Sequence, residues 1–294
     1  MKSALDVRGD FARGWRLMAK PALSSLYKTA FVTGASRGLG KAFVEMLLAE
    51  GVQVWGTARE TGRLEPLARH DGFTGVTLDL RNGADAEAAF AQAAAQAGGF
   101  DLVINNAGYG FFADALEADA EVWHGQIEDL LQTTLRLGRL ALRDMRTKGR
   151  GCLVNVSSLA VEFPIPYMSG YNVAKAGLSA WSESVGYELA GTGIAVIDLR
   201  PGDFCTDFNR AAERVESGEA KLRMQRVWAR LEAALEGSPS PGRAASDLHR
   251  ALLRRHRGLL RTGSFFQARL APFLARFAPA AWCVAVQRRY FGLK

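Results

Sequence analysis

A phenol and an ammonium group stand four residues apart in the segment from Tyr171 to Lys175. In a helix this spacing brings both side chains to one face, one turn apart. Because a nearby positive charge stabilises a phenolate, we expect Lys175 to lower the pKa of Tyr171. Ser158 precedes Tyr171 by 13 residues, and its hydroxyl can hydrogen-bond the same carbonyl oxygen. The three residues therefore combine a proton donor, an oxygen holder and a group that tunes the donor.

A glycine-rich turn, TGASRGLG at residues 33–40, lies between an apolar stretch and a segment with helical apolar spacing. Glycine lets the backbone approach a pyrophosphate, and the following helix supplies N–H donors and the positive end of its dipole. Such a turn alone is often a packing device, but its place between a strand and a helix favours dinucleotide binding. The predicted contacts are Gly34, Ser36, Arg37, Gly38, Leu39 and Gly40.

The nucleotide that such a site prefers depends on the residues after the second strand. Sites that prefer NAD usually place an acidic residue there to hold the ribose 2′-hydroxyl. This chain has GTAR at residues 56–59, and no acid precedes Glu60. Arg37 and Arg59 would instead pair with a 2′-phosphate, so the sequence predicts NADPH rather than NAD. The alternative is that both arginines are only solvated surface residues.

The elements that must position these groups follow from the hydrophobic patterning. Short, nearly continuous apolar runs alternate with helical spacing, as in a parallel sheet covered on both faces. Right-handed crossovers make this a doubly wound, Rossmann-type α/β fold. Predicted strands cover residues 28–33, 52–57, 76–80, 100–105, 151–157, 194–199 and 259–262, and predicted helices cover 40–50, 84–97, 121–147, 171–190 and 243–255.

The composition limits the classes of function. Of 294 residues, 48% are hydrophobic and 23% charged, as in an ordinary globular protein. Three scattered cysteines predict no disulfide framework, no metal site and a reducing, cytoplasmic location. The net charge of +7 comes from the ends, because residues 1–28 carry +4, residues 241–294 carry +10, and residues 29–240 carry −7. We therefore expect no nucleic-acid partner.

In their order and spacing, these motifs resemble the short-chain dehydrogenase/reductase family. The resemblance implies about seven strands and hydride transfer to or from a nicotinamide. It implies that Tyr171 is the acid/base, that Ser158 positions the substrate carbonyl, and that Lys175 binds the nicotinamide ribose and supports Tyr171. It spans about residues 28–206 and includes residues 33–40, Asn105-Asn106-Ala107-Gly108, Ser158, Tyr171, Lys175, Pro201-Gly202 and Thr206.

The same resemblance implies further contacts with the cofactor and with other subunits. Asp79 and Leu80 resemble the adenine contact, and Thr206 resembles the residue that contacts the nicotinamide amide. A homodimer or homotetramer through the predicted helices at 121–147 and 171–190 is also implied. The remaining cofactor contacts assigned in this way are Asn106, Ala107, Gly108, Pro201 and Gly202.

One position departs from the family pattern. Members usually carry an asparagine in the long helix before Ser158, where it helps to hold a water that links the lysine to solvent. Counting back from Met145 places Leu130 there, and leucine cannot hydrogen-bond. Gln126 or Thr134 could take over that role, or the alignment could be shifted by one turn. A real loss leaves open an alternative function, a nucleotide-binding regulator or scaffold with weakened catalysis.

The predicted substrate side is rich in apolar side chains. Residues 105–112 and 56–59 also resemble the branch of the family that contains steroid- and retinol-active members. An apolar pocket would suit a lipophilic ketone, aldehyde or alcohol, and the alternative is that these side chains only close the core. Residues 207–240 are the predicted lid over this side. The predicted substrate contacts are Phe111, Phe163, Met168 and Phe204.

Two ends extend beyond the predicted single domain of residues 28–263. Residues 1–27 are interpreted as an arm that either docks on the domain or forms a disordered or membrane-touching leader. Residues 264–294 mix aromatic residues with arginine, and Pro272 and Pro279 interrupt any spanning helix. This extension suits peripheral membrane contact, or equally packing over the substrate cleft or against another subunit.

Overall fold

The computed structural model describes residues 22–208, 212–216 and 218–293. Its strands are β1 (Thr29–Val32), β2 (Gln53–Ala58), β3 (Phe73–Thr77), β4 (Leu102–Asn105), β5 (Phe111–Ala113), β6 (Gly151–Val156), β7 (Ile194–Pro201), β8 (Glu213–Val215) and β9 (Gly258–Thr262). Seven of them form one parallel sheet in the order β3-β2-β1-β4-β6-β7-β9, and β5 pairs with β8 separately. The predicted doubly wound sheet of about seven strands is confirmed.

Helices connect successive strands and cover both faces of the sheet. They are α1 (Gly38–Ala49), α2 (Glu65–Ala68), α3 (Gly83–Ala97), α4 (Ala120–Ile127), α5 (Thr134–Lys148), α6 (Ser169–Glu188), α7 (Lys221–Leu235), α8 (Pro241–Leu253), α9 (Ala271–Ala275) and α10 (Ala280–Tyr290). Strand order reverses between β1 and β4, so the loops at their carboxyl ends diverge and open a cleft. None of the helices in the described ranges is long and apolar enough to cross a membrane.

The core consists of two apolar clusters, one on each face of the sheet. Alternate strand residues point to opposite faces, so Phe31 and Val103 join the cluster beneath α3, α5 and α6. Val32 and Ile104 join the other cluster, beneath α1 and α8. Every residue of β4 is buried, as expected for a central strand covered on both sides. The fold therefore holds the carboxyl ends of β1 and β4 in fixed positions.

Two elements differ from the sequence prediction. The third strand covers residues 73–77 rather than 76–80, because Leu78 and Leu80 anchor the turn that follows it. The predicted long helix at 121–147 contains a π-helical segment, Glu128–Thr133, between α4 and α5. π-helical turns of this kind are rare and often lie at functional sites.

Both ends of the domain carry additional structure. Residues 1–21 of the predicted arm lie outside the described residues, but Leu23 is completely buried and its N–H donates to Glu50 at 3.0 Å. Within the predicted lid at 207–240, β8 and α7 follow one another, and α7 buries Met224 and Trp228 against the core. The lid is therefore fixed to the domain through α7.

Candidate active site

The three predicted catalytic residues meet at the carboxyl end of β6. Ser158 stands two residues beyond that strand, and its Oγ accepts a hydrogen bond from the N–H of Ala160 at 3.0 Å. Tyr171 and Lys175 occupy the first turns of α6, and all three side chains are buried. A hydrogen bond joins the hydroxyls of Ser158 and Tyr171. Strand β6 and helix α6 thus bring together groups that lie 17 residues apart along the chain.

Lys175 lies beneath the ring of Tyr171. Its Nζ donates to the carbonyl of Val156 at 2.7 Å and lies 5.7 Å from the centroid of the Tyr171 ring. Burial lowers the pKa of Lys175 to about 8, although the negative charge of Asp198 opposes this shift. The lysine is therefore an ammonium at neutral pH that loses its proton more readily than an exposed lysine.

The expected decrease in the pKa of Tyr171 is not found. Burial raises the pKa of Tyr171 to about 12, because a phenolate is poorly solvated at this position. The hydrogen bond with Ser158 lowers it, and the charge of Asp203 raises it further. Removal from water thus outweighs the ion-pair argument made from sequence, and the phenol is protonated at neutral pH.

A buried charge network supports this end of β6 and β7. Asp198, which interrupts an otherwise apolar strand, accepts hydrogen bonds from the hydroxyls of Ser157 and Ser179. Arg200 donates to Asp198 at 2.8 Å and to Glu162 at 2.7 Å, with its side chain mostly buried. Desolvated charges of this kind are stabilising only when fully paired. The sequence analysis missed this network, although an aspartate within the apolar run IAVIDL was a signal.

The glycine-rich turn between β1 and α1 is folded tightly against the loop after β4. Gly34 has φ +68° and Gly38 has φ +56°, in the left-handed region that favours glycine. A Cβ on Gly34 would come within 2.9 Å of the Ala107 backbone. The Asn106 amide donates to the carbonyl oxygens of Thr33 and Gly34 at 2.9 Å and 3.2 Å. This packing fixes a concave backbone surface at the strand crossover.

The amino terminus of α1 faces this surface. Arg37 precedes the helix and gives no side-chain cap, and the first turn contains no acidic residue. The first backbone N–H groups and the helix dipole therefore suit an anionic ligand such as a pyrophosphate. Thr206, from the loop after β7, lies 3.6 Å from the position that a Cβ on Gly38 would occupy. The structure thus brings Thr206 to the predicted dinucleotide site.

The far end of this surface carries the residues predicted to select the nucleotide. Arg37 and Arg59 are exposed, while Glu60 pairs with Arg63 at 3.2 Å. Asp79 pairs with Arg81 at 2.6 Å, and that hydrogen bond together with the charge of Arg59 keeps the pKa of Asp79 low. The glycine turn, the free α1 terminus and these arginines fit a phosphorylated dinucleotide. Of the other predicted contacts, Ser36 and Leu39 are partly exposed in the turn, Leu80 is buried after β3, Gly108 lies near Lys175, and Pro201 and Gly202 end β7.

Leu130 lies within the π-helical segment and is 1% exposed. Its Cδ2 and the Nζ of Lys175 both lie within 3.7 Å of the position that a Cβ on Gly108 would occupy. The amide of Gln126 donates instead to the Tyr109 carbonyl at 3.2 Å. Among the described residues, no hydrogen bond joins Gln126 to Lys175. An apolar side chain therefore borders the lysine where the family pattern has an amide.

The substrate side is formed by β5, the loop before α6 and the start of the lid. Phe208 packs on Tyr171, with ring centroids 5.7 Å apart, and both Phe208 and Met168 lie against Gly110. Phe111 is buried in β5, and Phe163 is partly exposed in the loop after β6. The structure does not bring Phe204 to this group. Phe204 is 4% exposed and packs in the opposite cluster, beneath α1 and α8, because the chain turns sharply after Pro201-Gly202.

The C-terminal extension closes the cleft from the side of β7. Gln267 hydrogen-bonds both the N–H of Asp203, at 3.1 Å, and the Asp203 carboxylate. The Gln287 amide donates to the Pro164 carbonyl at 3.0 Å, and Phe291 is buried in the core cluster. Burial raises the pKa of Asp203, whose charge reaches Tyr171. The sequence analysis did not identify Asp203 or Gln267, because a contact across 64 residues leaves no local signal.

No group of three or more His, Cys, Asp or Glu side chains among the described residues is arranged to hold a metal ion. The groups gathered at the strand crossover are therefore organic acids, bases and hydrogen-bond donors. Together they surround a nucleotide-sized surface with a phenol, a hydroxyl and an ammonium at one end. This arrangement can bind a dinucleotide and exchange a proton at an oxygen atom beside it.

Comparison with known proteins agrees with this geometry. The family model for the short chain dehydrogenases matches residues 28–217. The 3-oxoacyl-(acyl-carrier-protein) reductase FabG of Escherichia coli (strain K12) is 32% identical over 222 residues, which cover 75% of this chain and 90% of that protein. The monensin polyketide synthase putative ketoacyl reductase of Streptomyces virginiae is 33% identical over 203 residues, covering 67% and 77%.

A solved structure extends the comparison to the fold. The short-chain dehydrogenase from Streptomyces avermitilis superimposes with a TM-score of 0.75 at 30% identity, covering 85% of this chain and 94% of that one. The matched region contains the glycine turn, Ser158, Tyr171 and Lys175. The structure and the comparisons lead to one conclusion about ancestry: the chain belongs to the short-chain dehydrogenase family of oxidoreductases.

Proposed function

We propose that this chain is an NADP(H)-dependent oxidoreductase that transfers hydride between the nicotinamide and the carbonyl or alcohol carbon of a lipophilic small molecule. The observation that carries the proposal is the buried group formed by Ser158, Tyr171 and Lys175 beside the glycine turn. It combines a protonated phenol, a hydroxyl that hydrogen-bonds it and a nearby ammonium. A carbonyl reduction needs these three groups around one oxygen atom.

Each side chain has a separate role in the proposed reaction. A reduced nicotinamide, when bound, supplies the hydride. Tyr171 donates its proton to the carbonyl oxygen, since its pKa of about 12 keeps the phenol protonated before the reaction. Ser158 holds that oxygen through its hydroxyl, and the ammonium of Lys175 stabilises the phenolate that remains. In alcohol oxidation the same groups act in reverse.

The preference for NADP(H) rests on the charges after β2 and before α1. Arg37 and Arg59 are both exposed there, and the first acid beyond them, Glu60, is already paired with Arg63. A 2′-phosphate would find two guanidinium groups and no competing free carboxylate. We therefore assign the 2′-phosphate of the nucleotide to Arg37 and Arg59.

A lipophilic substrate is supported by the side chains around Tyr171. Phe208 packs on its ring, and Met168, Phe163 and Phe111 line the same side of the cleft. The names of the two curated relatives describe reduction of oxoacyl and ketoacyl groups, in which a ketone is attached to an acyl chain. A ketone or aldehyde on an apolar skeleton is thus the proposed substrate class.

The proposal includes an assembly and a compartment. A homodimer or homotetramer would pack through α5 and α6, and α6 exposes Val173 and Tyr187 to solvent. The cysteines Cys152, Cys205 and Cys283 are free thiols, which suits a reducing compartment such as the cytoplasm. Light scattering of the purified chain tests the assembly, and a monomeric mass would contradict it.

The first test is a fluorescence titration with NADPH and NADH, followed by turnover of apolar ketones, aldehydes and 3-oxoacyl thioesters. We expect NADPH to bind more tightly than NADH. The double variant Arg37→Ala/Arg59→Ala should weaken NADPH binding about 10- to 100-fold, because charge-assisted hydrogen bonds are lost. Its NADH affinity should change little. Arg63→Ala, an exposed arginine of the same region, is the matched control.

Two results would overturn the proposal. Equal affinity for both nucleotides, unchanged in the double variant, would remove the NADP(H) preference. Tight NADPH binding without turnover of any carbonyl compound would support the alternative of a nucleotide-binding protein with weakened catalysis. That alternative has only Leu130 in its favour, whereas Ser158, Tyr171 and Lys175 are intact.

A further inference from the structure

The C-terminal extension ends in a helical hairpin whose outer side is unusually apolar. We call it the aromatic hairpin, and it consists of the π-helical segment Phe266–Leu270 with α9 and α10. The Sγ of Cys283 lies 4.0 Å from the carbonyl oxygen of Ala275, so the two arms of the hairpin contact each other. Pro279 stands at the start of α10 and sets the turn between them.

The aromatic hairpin holds most of the exposed large hydrophobic side chains of the described residues. Seventeen such side chains are exposed in the described ranges, and ten of them lie between residues 265 and 290. The other seven are scattered, as single exposed apolar residues usually are. The ten are Phe265, Phe266, Leu270, Phe273, Leu274, Phe277, Trp282, Val284, Val286 and Tyr290.

Their spacing places them on continuous helical stripes. Phe266, Leu270, Phe273 and Phe277 follow one another at intervals of three or four residues, so they share one face. The rings of Phe273 and Phe277 pack edge to face with centroids 5.3 Å apart, and Phe277 is 72% exposed. On α10, Trp282, Val286 and Tyr290 repeat every four residues and form a second stripe. An amphipathic helix normally buries such a stripe, and here the stripe faces outward.

The inner side of the extension is firmly anchored, so this exposure does not come from a loose tail. Gln267 is bound to Asp203, and Gln287 is bound to the loop carbonyl of Pro164. Phe291 is 5% exposed within the core cluster. The domain therefore holds the apolar stripes in place beside the substrate cleft.

The charge of the aromatic hairpin selects its partner. Residues 264–294 contain the arginines 269, 276, 288 and 289 and no acidic residue. All four arginines are exposed along the two helices. Two copies of this surface would place like charges together, which disfavours self-association. Aromatic side chains interleaved with arginine instead suit the boundary between anionic lipid head groups and acyl chains.

We propose that the aromatic hairpin binds the surface of a bilayer that contains anionic phospholipids. The exposed rings enter the head-group region, and the arginines pair with lipid phosphates. Helix α10 has 11 residues, about half of what a bilayer span needs, so the hairpin lies in the interface. The proposal concerns binding only and does not depend on the proposed reaction.

The test is flotation of the full chain with vesicles of phosphatidylglycerol and phosphatidylcholine in equal amounts, compared with pure phosphatidylcholine. We expect binding to the anionic vesicles, reduced by high salt, and weak binding to the neutral ones. Phe273→Ser/Phe277→Ser/Trp282→Ser should reduce partitioning at least about 100-fold. Arg269→Gln/Arg276→Gln should reduce it about 20-fold or more, at roughly fivefold for each charge removed.

Controls separate this surface from general effects. Leu116→Ser/Tyr187→Ser removes two exposed apolar side chains elsewhere, which are 93% and 72% exposed, and should leave partitioning unchanged. NADPH affinity and the melting temperature, measured on the same samples, report whether each variant is folded. Equal binding to neutral and anionic vesicles would overturn the proposal. So would unchanged partitioning of the triple variant, or a fall in its molecular mass in light scattering without any vesicle binding by the unmodified chain.

Discussion

The nucleotide side and the substrate side of the cleft are built differently. On the nucleotide side, a few residues around Gly34, Gly38 and Asn106 form a tight backbone surface through contacts that motifs fix locally. On the substrate side, the walls are β5 paired with β8 and the extension bound through Gln267. These elements come from distant parts of the sequence, and their side chains vary in kind.

This difference separates what is shared from what is individual in the molecule. A backbone cradle tolerates almost no substitution, because any Cβ meets neighbouring backbone atoms. A wall made of packed side chains tolerates exchange, at the cost of altered shape. We therefore expect damage on the nucleotide side to abolish binding and damage on the substrate side to adjust rates and affinities.

The largest effect should come from Gly40→Ala. The added Cβ would overlap the Gly34 carbonyl oxygen and the Asn106 amide, both part of the cradle. We expect about 1–3 kcal/mol of destabilisation and loss of measurable NADPH binding. Gly186→Ala is the matched control, since an added Cβ meets nothing within 4 Å there, and it should be neutral or slightly stabilising. Thermal unfolding and NADPH titration measure both, and equal behaviour of the two variants would break the comparison.

A moderate effect should follow Gln267→Leu on the substrate side. The change removes two hydrogen bonds to Asp203 and leaves a buried carboxylate with fewer partners. We expect a loss of about 1–3 kcal/mol in unfolding free energy and a severalfold change in the KM of the carbonyl substrate. Gln53→Leu, at an exposed glutamine of β2, should change neither quantity. An unchanged KM together with lost NADPH binding would place Gln267 on the nucleotide side instead.

The pH dependence sharpens the comparison further, since only the substrate side titrates near neutrality. Lys175 has a pKa lowered to about 8, so it is charged below that pH and neutral above it. Tyr171, with a pKa of about 12, does not limit carbonyl reduction in this range. We expect kcat/KM for reduction to be constant below pH 8 and to fall about tenfold per pH unit well above it. Lys175→Arg should remove the decline, and a flat profile of the unmodified chain to pH 10 would contradict this assignment.

The smallest effect should come from Leu130→Asn. An amide beside Lys175 would restore a hydrogen-bonding group at the π-helical segment, but it would also replace a leucine that is 1% exposed. We expect kcat to rise severalfold while the protein loses about 1–3 kcal/mol of stability. Leu131→Asn, at the half-buried neighbour, controls for the polar substitution alone. A kcat equal in both variants would show that Leu130 does not limit proton transfer.

Local motifs explain why so much of the molecule was predictable from sequence. The parallel sheet followed from alternating apolar runs, and the positions of Ser158, Tyr171 and Lys175 followed from helix and strand periodicity. Asp203 and Gln267 were not predictable, because their contact joins the end of β7 to a segment beyond the sheet. The direction of Phe204 was equally hidden, since a turn after Pro201-Gly202 decides which face of the sheet it joins.

The electrostatics of the site show a second limit of sequence reasoning. The spacing of Tyr171 and Lys175 correctly predicts that they lie together, but not how far both are removed from water. Burial then moves the pKa of Tyr171 upward, against the expectation from charge alone. Depth of burial depends on Phe208 and on the extension, which belong to other parts of the chain.

The most direct test of the central claim is the rate of NADPH oxidation with an accepted ketone, in Tyr171→Phe against the unmodified chain. We predict a fall in kcat of roughly 10²- to 10⁴-fold, with NADPH affinity nearly unchanged, because only the proton donor is lost. Tyr187→Phe is the matched control, as its exposed hydroxyl on the same helix donates to Glu183. Full turnover by Tyr171→Phe would contradict the account.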